Sequence, residues 1–322
     1  MTEAAPFSPL ARRSVTHETV DQLATKYRTW GQWGADDELG SANYVTPERL
    51  VAAAQLVRTG TTFSLSLPMD VTGPMHGPSS RVNPQHQMLM TAHDSLPGPV
   101  RYNDDAVYMP LQSSTQWDSL AHVFYNGEGY NGRGIDTVGV VSGVSANSIT
   151  ALRRHAVGRG VLLDLARFYD RDALEPGACI QAEDLEACAQ AQGVDVGEGD
   201  WVLVRTGQMA QHRNAGSWGD YAGGSAPGLG VSAADFLCSR RVAGVASDTW
   251  GLEALPYETA DLYSPLHIIL LVNAGIYIGE MWDLDALAED CADNKVYEFF
   301  LAAPPLPITG AVASPINPIA IK

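Results

Sequence analysis

Positive charge is scarce in this chain. Twenty Lys and Arg face 37 Asp and Glu among 322 residues, a net charge of −17, with an isoelectric point near 4.7. Neutralising a polyanion takes clustered basic side chains, so nucleic acid is excluded as a natural partner. Cysteine is equally sparse: Cys179, Cys188, Cys238 and Cys291 show no CxxC spacing and read as reduced, buried thiols rather than a disulfide frame or a zinc knot. No apolar run approaches the roughly 20 residues that span a bilayer, and Arg12-Arg13 is not followed by the apolar core of a secretory signal. The expectation is a cytoplasmic protein with no membrane partner. Two catalytic signatures are missing as well. Gly158-Arg159-Gly160 lacks the GxGxxG spacing of a dinucleotide site, and no GxSxG or Cys/His arrangement supplies a covalent nucleophile.

What the chain does have is apolar mass, 45% of its residues, enough for the core of one large domain. Residues 1–15, rich in Ala, Pro and Ser, read as a mobile or draped arm ahead of a single domain over 16–322. A helix should begin at Thr46-Pro47-Glu48, with Thr46 as cap and Pro47 in the first turn, and end at Gly60. Residues 62–67 alternate as a strand. Residues 70–110, dense in Gly and Pro, read as a long surface excursion of functional or oligomeric use, with His86 and His93 as solvated groups. The apolar runs 138–141, 160–165, 201–205, 242–247 and 268–272 have strand length. Residues 184–192 and 233–239 read as helices, the second capped by Ser232, and 272–280 as strand, turn at Asn273-Ala274-Gly275, then strand. That mixture indicates an α/β protein.

Coordinating and proton-transferring side chains concentrate in one segment, where Gln112, Gln116, Asp118 and His122 recur. An extended strand would part Gln112 from Gln116 by about 13 Å, at about 3.3 Å per residue. A helical turn brings residues four apart to within about 6 Å. Residues 112–116 are therefore expected to coil, with Ser113, Ser114 and Thr115 capping backbone N–H groups and Asp118 and His122 following on a turn. An imidazole such as that of His122 suits proton transfer, its ordinary pKa being about 6.5. Asp118 could cap the turn or ligate an ion. His267 and Glu280 can converge only if the strands around them pair as a hairpin.

The segment resembles the HxGTHxDxPxH signature of the metal-dependent cyclase family, which includes kynurenine formamidases and isatin hydrolases. Thr115, Asp118 and His122 match it; Gln112 and Gln116 stand at its histidine ligands, Ser114 at its glycine and Leu120 at its proline. Gly160-Val161-Leu162-Leu163-Asp164, residues 199–207, and His267 followed by Glu280 resemble family segments in the same order. Residues 33–40 and 314–318 are similar to a longer branch, so the resemblance covers about 30–322. It implies a compact, swivelling β/β/α fold, assembly as homodimers or larger homo-oligomers, and a small-molecule substrate. It also implies that Asp118 ligates a metal, that His122 handles protons, and that His267 and Glu280 belong to the site.

An amide oxygen is a hard, weak ligand beside imidazole, so the two glutamines should tilt the site from Zn²⁺ towards Mn²⁺. A metal-free pocket, in which Gln112 and Gln116 bind substrate directly, is the rival. Trp117 and Trp33 are candidate walls for a flat substrate. The function expected is hydrolysis of an amide, lactam or lactone bond in a small cyclic or aromatic molecule. A divalent ion would be held by Asp118 with Gln112, Gln116, His267 and Glu280, and His122 would act as general base and acid. Two other readings stay open: a cyclase or dehydratase using His122 without metal, and a metal-free binding protein on the same fold.

Overall fold

The computed structural model describes residues 10–75, 81–94 and 96–322; the start of the expected arm and parts of the excursion lie outside them. From residue 10 the arm is tied to the body. The Leu10 carbonyl accepts the Cys179 N–H at 3.0 Å, and Glu258 receives the N–H groups of Arg13 and Val15 at 2.8 and 3.2 Å.

A nine-stranded mixed sheet organises the α/β fold. Its order runs Thr62–Ser64, Ile319–Ile321, Glu298–Ala302, Val157–Asp164, Trp201–Arg205, Gly244–Ser247, Tyr277–Glu280, Gln116–Asp118 and Ala313–Pro315. The four central strands from Val157–Asp164 to Tyr277–Glu280 are mutually parallel, and the flanking ones pair antiparallel. Strands covered on both faces read as unbroken apolar runs, which is why Val161 to Leu163 and Trp201 to Val204 are wholly buried. The parallel register aligns Asp164 with Arg205 and Val204 with Ser247, so the strand ends lie along one edge. Glu280 ends the last of them and faces Gln116 across the antiparallel pair, with Ile278 opposite Asp118. The sheet thus seats the signature segment beside Glu280.

Close packing under that pair depends on one glycine. Gly279 lies opposite Trp117, whose ring stacks on Trp201 and Trp282 at 5.2 and 4.8 Å. A Cβ on Gly279 would come within 2.6 Å of Ala246 Cβ and 2.8 Å of Trp117 Cζ3. Beside the main core, a smaller cluster gathers Leu67, Met75, Met209, Tyr221, Ala222 and Met281, with Trp218 and Trp250 against it.

Several sequence expectations change. Residues 268–272 are not a strand: Pro265–His267 starts a helical turn that continues as a π-helix over Ile268–Ala274, entirely buried and ended by Gly275 at φ +67°. A short apolar run has no period that separates a buried strand from a buried helix. The 138–141 run contributes only Val138–Gly139, paired with Gly143–Val144 outside the main sheet, and Val140 and Val141 are fully exposed at its tip. The excursion contains an antiparallel ribbon, Gln85–Met90 with Asp104–Tyr108, mostly exposed, where His86 bonds Asp105 at 2.7 Å. The helix capped by Thr46 covers Pro47–Ala54 and stops short of Gly60. Of residues 62–67 only Thr62–Ser64 form a regular strand, with Ser66 bridging Trp282. Ser232 stands at the N-cap of Ala233–Ser239 without bonding that helix; its hydroxyl donates to Gln181 Oε1 at 2.6 Å and accepts the N–H of Ala182, which opens the Ala182–Gln192 helix, at 3.0 Å.

Candidate active site

Residues 112–122 turn, run straight and turn again instead of forming a helical turn. The Ser113 N–H bonds the Pro110 carbonyl at 3.1 Å, Gln116–Asp118 is strand, and the His122 N–H returns to the Ser119 carbonyl at 3.0 Å. Thr115 caps no helix. Its hydroxyl donates to the Met281 carbonyl at 2.5 Å and accepts the Leu67 N–H at 2.9 Å, which locks the segment to the chain just beyond Glu280. Strand alternation then sends Gln116 and Asp118 to one face and Trp117 to the other.

On the first face two carboxylates and an imidazole converge. The Gln116 amide nitrogen donates to Glu280 Oε2 at 2.9 Å and to Asp118 Oδ1 at 3.3 Å. His267 Nε2 lies 3.5 Å from Glu280 Oε1, while its Nδ1 contacts Glu253 Oε1 at 2.5 Å. Glu253 also accepts the N–H groups of Leu266 and His267 at 3.0 Å each, so one buried carboxylate fixes both the helix start and the ring. A carboxylate on Nδ1 keeps a proton there, so that once the ring gives up its second proton the Nε2 lone pair faces the cleft, as around metal-bound histidines. Ligand atoms of Asp118, His267 and Glu280 lie within 4.8 Å of one another, all buried. Gln116 Oε1 and Asp118 Oδ2 are buried without a hydrogen-bond partner. Buried polar atoms are nearly always satisfied, so two orphaned acceptors beside this triad fit a cation that completes them.

The charges agree with that geometry. Burial raises the Asp118 pKa to about 6, His122 opposing and the Glu280 carboxylate adding to the rise. Burial disfavours charge on His267, yet its bonds to Glu253 and Glu280 outweigh that and hold its pKa at about 10. The cleft therefore keeps a positive charge among its carboxylates, the role a divalent ion would assume.

His122 sits nearer the mouth, its side chain 23% exposed and its Nε2 3.9 Å from Asp118 Oδ2. Burial lowers its pKa, with Asp118 pulling the other way. Gln112 meets His122 Nδ1 at 3.2 Å rather than joining the triad. The expectation that both amides aim their oxygens at one centre is thus corrected: Gln112 orients His122, and Gln116 turns its nitrogen to the two carboxylates.

The sequence likewise matches a family model described as "Putative cyclase" over residues 63–254, more than half of the chain. The chain belongs to this cyclase family. A solved structure described as a novel cyclase is 42% identical, covering 93% of this chain and 99% of its own, with a TM-score of 0.84. Isatin hydrolase A from Labrenzia aggregata, bound to benzyl benzoate, is 22% identical over 85% of this chain and 97% of its own, TM-score 0.58. A potential metal-dependent hydrolase with cyclase activity is 18% identical over 81% and 98%, TM-score 0.52. Those last two likenesses show the fold. Comparison with curated proteins gives no match. Among the described residues no helix is long and apolar enough to cross a membrane.

Two tryptophans expected at the cyclase site stand elsewhere. Trp117 is wholly buried, its Nε1 donating to the Ala303 carbonyl at 2.9 Å. Trp33 packs edge-on against Tyr44 at 5.0 Å, and Tyr44 borders Gly199 at the start of the Trp201–Arg205 strand, away from the edge that carries Glu280. Two residues that sequence reasoning missed take part instead. Glu253 clamps His267. Arg81 donates to the Gln112 carbonyl at 3.1 Å and lies over the Trp250 ring at 5.9 Å from its centroid. No spacing rule links residues 81 and 253 to 112–122; only the fold does.

Proposed function

We propose that this cyclase-family protein is a metal-dependent hydrolase that opens an amide, lactam or lactone bond in a small cyclic or aromatic molecule. The reading is carried by one observation, the convergence of Asp118, His267 and Glu280 in a single buried group with His122 3.9 Å from Asp118. The isatin hydrolases of the same fold support it. Asp118, His267 and Glu280 would hold a divalent cation, with Gln116 turning its orphaned amide oxygen inward. That donor set, mostly oxygen, favours Mn²⁺ over Zn²⁺. Once bound, the cation supplies Lewis acidity towards a carbonyl oxygen and lowers the pKa of water.

The chain's own residues do the rest. Burial keeps His122 neutral near pH 7, ready to take a proton from the attacking water and return it to the leaving nitrogen or oxygen. Gln112 holds the ring: its amide nitrogen lies 3.2 Å from Nδ1, and turning that amide so that its oxygen accepts from Nδ1–H would present the Nε2 lone pair, 3.9 Å from Asp118, to the proton. Gln116 keeps two carboxylates side by side while the cleft is between substrates. The working unit of this reading is a cytoplasmic homodimer or larger homo-oligomer, in keeping with Met88, Leu89, Val107 and Tyr108 exposed on the ribbon.

The test is to strip divalent ions, restore Mn²⁺ or Zn²⁺ singly, and assay a panel of fused lactams, aryl formamides and aromatic lactones. Ring or amide opening that disappears on chelation and returns best with manganese is expected. Full turnover in protein free of metal by elemental analysis would overturn it in favour of a cyclase or dehydratase acting through His122. Tight ligand binding without turnover of any panel member would leave a binding protein.

A further inference from the structure

An acidic cleft repels anions unless a fixed cation faces them, and this one has such a cation. Arg81 is anchored just past a loop closure: Asn83 Oδ1 accepts the Met75 N–H at 2.7 Å, and Asn83 Nδ2 donates to the Val71 and Met75 carbonyls at 3.3 and 3.4 Å. The Gln112 carbonyl orients its guanidinium, whose charge reaches both Asp118 and His122. Under it lies Trp250, whose Nε1 is a buried donor without a partner. Trp250 in turn packs on the methionine-rich cluster that contains Met281, the neighbour of Glu280. The Tyr221 hydroxyl of that buried cluster donates to the Asp248 carbonyl at 2.9 Å and the Met281 N–H to the Thr249 carbonyl at 3.0 Å, which ties the chain around Trp250 to the edge carrying the triad. A planar guanidinium is matched to a carboxylate, two oxygens to two N–H groups, and an indole face suits a flat aromatic body.

We propose that Arg81 and Trp250 form the specificity subsite of this cleft, and that its substrate is a small aromatic molecule carrying one carboxylate. Arg81 holds the carboxylate, and the aromatic body rests against Trp250, itself backed by the buried cluster. The assignment rests on the hydrolase reading only in naming the ligand a substrate.

Two fluorescent probes of nearly equal shape test it by equilibrium titration, 2-aminobenzoate as the anion and 2-aminobenzamide as the neutral mate, in chelated and in Mn²⁺-loaded protein. Wild type should bind the anion about tenfold more tightly or better in both forms; Arg81→Met should erase that preference while leaving the amide's affinity unchanged, and Arg81→Lys should keep part of it. Trp250→Leu should weaken both probes alike. Circular dichroism checks that each variant is folded. Equal affinity of wild type for the two probes overturns the proposal, as does binding of neither. So does equal weakening of both by Arg81→Met, or a preference that vanishes on chelation, which would place the carboxylate on the cation. Because no turnover is read, inactivity against every panel substrate with the charge preference intact would sink hydrolysis and leave the subsite standing.

Discussion

The deep end and the mouth of the cleft are built differently. At depth, Asp118, Glu280 and His267 are all buried: Gln116 donates to both carboxylates, and Glu253 and Glu280 flank the His267 ring on its two nitrogens. At the mouth, Gln112 and His122 meet each other through a single 3.2 Å hydrogen bond, and His122 is partly open to solvent. A ligand set must keep its geometry, because coordination tolerates little error. A proton carrier must exchange with water and substrate and so needs freedom and access. On the proposed reading, the contrast separates charge-holding from proton-moving along one eleven-residue segment.

That separation can be broken at either end. Asp118→Asn should have the largest effect, loss of bound metal together with a turnover loss of about 10³ or more, read by elemental analysis and rate on one sample. Retained stoichiometry and rate would put the cation elsewhere. His122→Ala should cost about 10² to 10⁴ in turnover with metal content and fold intact, so a parallel drop in metal would erase the distinction between depth and mouth.

Proton competition probes the deep end alone. With a folded pKa of about 10 against an ordinary 6.5, His267 adds stability to metal-free protein that is fully present below pH 6.5 and lost as pH climbs through 10. A cation must displace that proton, so Mn²⁺ affinity should rise about tenfold per pH unit between pH 7 and 9, measurable by calorimetric titration. A flat profile would mean that His267 is not a ligand. Gln116→His should raise zinc affinity by well over about tenfold, since imidazole outranks amide oxygen for zinc, whereas Gln112→His should change it little. An equal gain from both would restore the common centre expected from sequence. Smallest of all, Gln112→Leu should slow turnover by only about threefold to tenfold through a looser His122, without touching metal content.

The sequence was legible where its pattern has one physical meaning. Trp201–Arg205 is a buried strand and Ala233–Ser239 a helix in both readings, and the spacing from Thr115 to His122 carried the family. It failed where a pattern has two meanings. The run 268–272 is as apolar as any central strand, yet it forms the π-helix that delivers His267. Trp117, between two site residues in sequence, is on the far face because a strand alternates. Glu253 and Arg81 were unreadable for another reason: a buried clamp and a loop cation look like any Glu and any Arg until the sheet edge and the Asn83 loop closure bring them to the cleft.

The Gln116 amide has one more consequence. Two bare carboxylates held this close would repel each other and draw apart, and a nest of that kind must be rebuilt each time it is filled. Here a neutral side chain donates to both while the site is empty, so the socket is shaped before anything fills it. On the proposed reading, loading exchanges the amide's two N–H bonds for its oxygen on the ion, so one side-chain turn separates the empty state from the filled one while the mostly oxygen donor set keeps its preference for Mn²⁺.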